Sequence, residues 1–354
     1  MADSLAAQVE EFMAGAASLT EEVWDDIASE WVSAGDVSEV IDAARGADGG
    51  KYLRPRLVSA SYLAFGGCDP ELLRRVAAAQ QMLHVGLCIH DDLIDGDRVR
   101  HDRLTVAARI EQKALEEGLG PHAATRRAEA AGLLAGDLAI IAAVSVLAAA
   151  PAEASVRSRL VSAATIAIGS AILGEALDVW SESMPPELSD PRRIATLKTA
   201  SYSVTLPLTL GAIAAGVEDE QALSTIADVG SLIGVAYQLS DDDLGLFGRP
   251  AETGKSVISD IRDGKRTEHI RLAALRATPA QRRVMEAHLG RADLDGPGAQ
   301  RVRDLVIETG SRAQVLRIID GLVQEAARRA ESGLPRPLAL YLASLVTGFR
   351  DRPR

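Results

Sequence analysis

The stretch LRRVAAAQQMLHVGLCIHDDLID, residues 73–95, returns an apolar side chain at every third or fourth position. That period limits the fold more than any other feature, because it belongs to a helix with one buried face and not to a strand. VLRIIDGLVQEAARRAE, residues 315–331, repeats it, and strand signals are nearly absent elsewhere. Gly and Pro punctuate the helical runs at GADGG (46–50), FGGCDP (65–70), EEGLGPH (116–122), AAAPAE (148–153), SMPPELSDP (183–191), FGRPAETGK (247–255) and LGRADLDGPG (289–298). Aromatic residues make up only 3% of the chain, so helices are expected to pack closely through small side chains. The expected fold is all-α, a single-domain helical bundle or barrel over residues 1–354. Residues 1–40 form an N-terminal helical extension, and 41–354 form the core. Trp24 and Trp31 in the extension read as packing anchors.

A net charge of −12 argues against nucleic acid as a partner, whose binding is dominated by phosphate neutralisation. An anionic ligand would have to meet a local basic cluster or metal ions. Cys68 and Cys88 have no metal-ligand spacing, which fits a reducing, cytoplasmic setting. The N-terminus MADSLAAQVEEFMAG lacks a basic leader region. The most apolar run, LAIIAAVSVLAAAP (138–151), reads as too short to span a bilayer, so no transmembrane segment is expected.

Two acidic clusters about 150 residues apart stand out: IHDDLIDGD (89–97) and YQLSDDDLGLFG (237–248). On a helix Asp91 and Asp95 share a face, and Asp92 lies about 100° round from Asp91. Like charges at that spacing repel unless a cation joins them. Mg²⁺ suits such a site, since it binds through one or two carboxylates plus substrate phosphates; the bland alternative is a solvated acidic face. The second cluster supplies Asp241, Asp242 and Asp243, followed by Lys255, Asp260, Lys265 and Arg266. GGKYLRPRL (49–57) adds Lys51, Arg54 and Arg56, and Arg98, Arg100 and Arg103 follow the first cluster. Carboxylates with guanidinium and ammonium groups nearby suit a metal-bound diphosphate.

With GGKYLRP (49–55), HDDLID (90–95), LLAGDL (133–138), GEALDV (174–179), KTASYSVTLPL (198–208) and YQLSDDDLGLFG…TGK…D…GKRT (237–267), the chain resembles the trans-isoprenyl diphosphate synthases, or polyprenyl synthetases. The resemblance implies the isoprenoid-synthase fold around a central apolar cavity. It implies a homodimer that joins isopentenyl diphosphate to an allylic prenyl diphosphate, using three Mg²⁺ ions, with Mn²⁺ as a possible substitute. It places the metals on Asp91, Asp92, Asp95, Asp241 and Asp242. Arg100, Lys198, Lys255 and Lys265 then contact the allylic diphosphate, and Gly50, Lys51, Arg54 and His84 form the isopentenyl diphosphate pocket. Thr199 and Gln238 lie near the reacting carbons, so Lys198, Thr199 and Gln238 are the catalytic candidates.

Three residues depart from the family pattern. His101, followed by Asp102, stands where the second of two arginines and a glycine are usual; that arginine contacts isopentenyl diphosphate in the family, and His101 would do so weakly or when protonated. Gly245 replaces the last aspartate of the second motif, and Glu175 replaces a glutamine. Product length in the family depends on side chains one and two turns before the first aspartate. Here those are Leu83, Gly86 and Leu87, with no aromatic to stop growth at C15, so geranylgeranyl diphosphate (C20) is the expected product, with C25 or longer the alternative. The alternatives are a class I terpene cyclase on the same fold, which would not need isopentenyl diphosphate, and a non-catalytic regulatory subunit. The latter type usually loses the carboxylates that this chain keeps.

Overall fold

The computed structural model describes residues 2–15, 18–31, 38–100, 102–248 and 258–350. His101 and Lys255 lie outside the described residues. The elements run α1 (Ala2–Met13), α2 (Glu21–Trp31), α3 (Ser38–Arg45), α4 (Leu53–Ala64), α5 (Pro70–Asp95), β1 (Val99–Arg100), β2 (Arg103–Leu104), α6 (Val106–Glu116), α7 (Pro121–Ala148) and α8 (Ala154–Ser181). After α9 (Pro191–Ile194) comes a π-helical segment, Ala195–Thr205. Then follow α10 (Leu206–Ala214), α11 (Glu220–Phe247), α12 (Ser259–Arg262), α13 (Glu268–Arg276), α14 (Pro279–His288), α15 (Gly296–Glu308), α16 (Ser311–Gly333) and α17 (Arg336–Arg350). The all-α expectation holds, and the expected Gly/Pro breaks within the described residues fall at or between helix ends; most of the break at 247–255 lies outside them. The antiparallel pair β1–β2 is the one strand pairing among the described residues, two residues on each side.

The chain divides into two compact units. One comprises Met1–Ile166 and Leu206–Leu223, the other Ala167–Thr205 and Ser224–Arg354. In the first, α5 begins at Asp69, whose carboxylate accepts from the backbone N–H groups of Glu71 and Leu72, with Pro70 in the first turn. It ends at Gly96 in the left-handed conformation (φ 68°). Small residues bring its neighbours close. A methyl group at Gly86 would lie 2.9 Å from the Gly136 carbonyl oxygen on α7, and one at Gly211 on α10 would lie 2.4 Å from the Val58 carbonyl on α4. Trp24 is buried in this unit. In the second unit, Leu246, Ile261, Ile270, Met285, Val302 and Leu305 form a core under the end of α11.

One expectation is corrected in part. The apolar run at 138–151 reads as too short to span a bilayer, but its residues 138–148 close a helix of 28 residues, α7. By length and composition α7, α8 and α11 are each apolar enough to cross a membrane. The sequence reading counted only an unbroken apolar run; the helix extends it through alanines and glycines with few charges.

Candidate active site

In the first unit, the question posed by three aspartates on one helix end has a direct answer. Arg100, presented by the β1–β2 pair, donates from Nη2 to Asp91 Oδ2 at 2.6 Å and from Nε to Asp92 Oδ1 at 2.5 Å. Its Nη1 reaches Cys88 Sγ at 3.5 Å. Asp92 is the buried member at 8% exposure, and desolvation pushes its carboxyl up to about 6 against the pull of Arg100. Asp91 and Asp95 are half-buried. Asp102, where the family has glycine, takes a left-handed φ of 59°, a conformation that aspartate tolerates better than most residues.

The loop before α4 is built from unusual backbone: Gly50 has φ 91° and Tyr52 φ 49°. It leads Lys51 to the surface and Arg54 to His84, with Arg54 Nη1 and His84 Nε2 3.1 Å apart. An arginine only donates, so His84 Nε2 accepts, and its Nδ1–H is turned toward Cys88 Sγ at 3.3 Å. One residue that nothing in the sequence singles out, Gln81, helps to hold this loop, and Arg103 does so too. Gln81 on α5 donates to Asp48 Oδ1 (2.7 Å) and the Gly49 carbonyl (3.2 Å). Arg103 donates to the carbonyls of Gly46 and Asp48, so it braces the loop. Arg98 pairs with Glu111 and Arg56 with Glu10, both away from the acids.

Leu83 is buried and Leu87 half-buried. A methyl group at Gly86 would also meet Ile140 Cγ1 at 2.8 Å and Ala139 Cβ at 3.2 Å. Bulk at 86 therefore presses on α7 before it can do anything else.

In the second unit, three elements converge. Gly174 on α8 lets that helix touch the π segment, since a methyl group there would stand 2.2 Å from the Lys198 backbone nitrogen. Lys198 Nζ is consequently held between Glu175 Oε2 and Asp178 Oδ2, each at 2.8 Å. Gly230 and Gly234 on α11 do the same against Thr205 and Ala200. That approach allows Thr199 Oγ1 to donate to Gln238 Oε1 at 2.6 Å, while Gln238 Nε2 donates to Asp242 Oδ1 at 2.8 Å. A π-helical stretch is rare and often marks a functional site; this one carries both Lys198 and Thr199. Lys265 is half-buried, and its backbone N–H closes a turn onto the Asp260 carbonyl at 2.9 Å.

The three aspartates of the second motif sit in different surroundings. Asp241 is exposed. Asp242 is pushed up to about 8, first by desolvation and then by the fields of Asp260, Asp241 and Asp178, against the Gln238 hydrogen bond. Asp243 is buried at 3%. Burial would raise it, but hydrogen bonds from His269 and Arg312 win and hold it below the usual carboxylate range.

The structure also gives the Gly245 departure a physical reading. A methyl group at 245 would sit 2.3 Å from Asp260 Oδ2, so a carboxylate from elsewhere in the chain stands beside the position that lost its own. Gly245→Ala is therefore expected to displace Asp260 and to lower activity about as much as Asp260→Ala. The double variant should be no worse than Asp260→Ala alone, because both changes remove one interaction. Additive losses in a steady-state comparison of the three variants would contradict this.

Carboxylates crowded as Glu175, Asp178, Asp241 and Asp242 are in this unit are groups that can hold a hard cation, and their oxygens suit Mg²⁺. Among the described residues no three His, Cys, Asp or Glu side chains close into a metal cage of their own. An ion bound by one or two carboxylates and completed by phosphate oxygens needs no such cage.

In each unit, carboxylates with a basic side chain among them are groups that can take up a metal-bound diphosphate. The chain belongs to the polyprenyl synthetase family, whose model matches residues 38–305. It is similar to the geranylgeranyl diphosphate synthase of Sulfolobus acidocaldarius, 33% identical over 69% of this chain and 69% of that one. It is also similar to a (2E,6E)-farnesyl diphosphate synthase of Mycobacterium tuberculosis, 33% identical over 66% of this chain and 60% of that one. Among solved structures it resembles the geranylgeranyl pyrophosphate synthase of Corynebacterium glutamicum complexed with isoprenyl diphosphate and magnesium. That match has a TM-score of 0.85 and 27% identity, and covers 95% of this chain and 99% of that one. The fold is thus that of the isoprenyl diphosphate synthases, and the chain is of the prenyltransferase class.

Proposed function

We propose that the chain is a Mg²⁺-dependent trans-prenyltransferase that joins isopentenyl diphosphate to an allylic diphosphate, with geranylgeranyl diphosphate (C20) as the main product. The observation that carries this reading is the negative field around Asp242, set beside Lys198 and the Thr199–Gln238 pair. Bound Mg²⁺ would act as a Lewis acid on the departing diphosphate. Asp91, Asp95 and Asp241 would hold the ions, with Asp92 and Asp242 beside them. Arg100 exchanges part of its contact with the acids for diphosphate oxygens, and Lys198, Lys255 and Lys265 add positive charge there. Thr199 Oγ and Gln238 Oε1 turn lone pairs toward the carbons where positive charge develops as the diphosphate leaves. Gly50, Lys51, Arg54 and His84 hold isopentenyl diphosphate, whose double bond attacks the allylic cation before a proton is lost. His101 stands in place of an arginine in that pocket.

Gly86 and Leu87 offer no aromatic stop at C15, which supports C20. The test is product analysis of the purified protein with dimethylallyl, geranyl, farnesyl and geranylgeranyl diphosphates, each with and without isopentenyl diphosphate. Geranylgeranyl diphosphate should accumulate, and only when isopentenyl diphosphate is present. Accumulation of C15 would overturn the product assignment. Consumption of the allylic substrate alone would favour a cyclase, and an inert purified protein would favour a regulatory subunit.

The same reading makes the protein soluble, cytoplasmic and homodimeric. Leu133, Leu134 and Ile141 on α7 are 51%, 52% and 55% exposed, and Leu173 and Trp180 on α8 are 63% and 66% exposed. Apolar surface of this kind fits a partner protein surface. A second copy of the chain is the occupant we favour over lipid.

A further inference from the structure

We propose that Arg312 is a positioning residue for the second acidic motif: it fixes the rotation of α11 and so aims Asp241 and Asp242. The proposal rests on the prenyl-transfer reading. Leu239, Asp243 and Leu246 occupy one stripe of α11, at 0%, 3% and 1% exposure. Asp241 lies roughly 200° round the helix from Asp243, and it is exposed. Whatever pins Asp243 inward therefore points Asp241 outward.

Arg312 is that pin. It stands in the first turn of α16 and donates from Nε to Asp243 Oδ1 at 2.9 Å and from Nη2 to Oδ2 at 3.0 Å. Its guanidinium carbon lies 4.0 Å from the centre of the Phe247 ring, one turn further along α11. The fully buried His269 on α13 adds a third contact, Nε2 to Asp243 Oδ1, at 3.1 Å. Three helices are thus tied to one carboxylate. Apolar burial is non-directional, whereas a two-pronged planar contact adds a fixed direction to its partner. Arg312 lies beyond residue 305, where the match to the family model ends.

The alternative is a buried ion pair that matters for folding and nothing else. Calorimetric titration of the full chain with Mg²⁺ in the presence of inorganic pyrophosphate separates the two, alongside melting of the metal-free protein. Arg312→Met is expected to weaken Mg²⁺ binding about tenfold or more. Arg312→Lys, which keeps the charge but not the fork, should fall between it and the wild type. In steady-state assays the Mg²⁺ requirement should rise while KM for isopentenyl diphosphate stays put. If the Met variant does not fold, Arg312→Lys and Asp243→Asn carry the same comparison. Variants with lowered melting temperature but unchanged Mg²⁺–pyrophosphate binding would leave Arg312 a structural residue and overturn the inference. A wild-type chain that fails to bind Mg²⁺ and pyrophosphate would overturn the prenyl-transfer reading and this inference with it, so the two failures are told apart by the wild-type arm.

Discussion

Asp241→Ala and Asp91→Ala should each lower prenyl transfer on the order of a thousandfold or more while leaving the helical fold intact. Lewis-acid stabilisation of a leaving diphosphate is worth several kcal/mol, and each ~1.4 kcal/mol is about tenfold in rate. Neither side chain is part of the packed interior: Asp241 is exposed and Asp91 is half-buried. Asp91→Ala leaves Arg100 still paired with Asp92, so the loss should appear in turnover and in the Mg²⁺ requirement, with little change in melting temperature. Asp243→Ala is the contrasting case. It strips the partner from half-buried Arg312 and fully buried His269, and it should lower stability as well as activity. Matched far-UV spectra and turnover for the three variants check the pattern, and near-normal turnover by Asp241→Ala would sink the metal assignment.

The second large effect is on pH. Asp242 is pushed up to about 8 in the metal-free chain, and Asp92 up to about 6, desolvation being the main cause of each. A cation needs the ionised carboxylate, so metal binding must release a proton wherever Asp242 is protonated beforehand. If Asp242 contacts the ion, Mg²⁺ affinity should fall by up to about tenfold for each pH unit below 8. Folding should respond with the opposite sign. A carboxyl whose folded value is raised binds more protons in the folded state than in the unfolded one, so it favours folding at low pH, and that advantage is lost as pH rises through about 8. The metal-free protein should therefore melt higher near pH 6 than near pH 9. With Mg²⁺ and pyrophosphate present, the trend should weaken or reverse. Melting curves across that range, with and without the two ligands, check both signs; parallel curves would show that Asp242 does not face the ion.

Much of this was legible in the chain itself. The apolar period and the Gly/Pro breaks located the helices, because both act over a few residues. The ordered set of motifs, the two carboxylate clusters among them, pointed to the family that the family model matches. The sequence misjudged matters that depend on neighbours. It treated Asp92 as an edge residue, whereas α5 buries it against Arg100. It left Arg103 open as a phosphate contact, yet that side chain braces the backbone of Gly46 and Asp48. The π-helical turn that carries Lys198 and Thr199 has no period that distinguishes it from the α-helices around it.

Taken alone, the sequence determined the fold class, the family and the residues that can bear charge, since each depends on local pattern or on an ordered set of motifs. Only the tertiary structure decided which charge meets which. Lys198 lies between two acids some 20 residues away, Asp260 fills the gap at Gly245, and Arg312 reaches back 69 residues to Asp243. Those pairings follow from how closely glycines let helices approach and which way each helix is turned. No period along the chain encodes either.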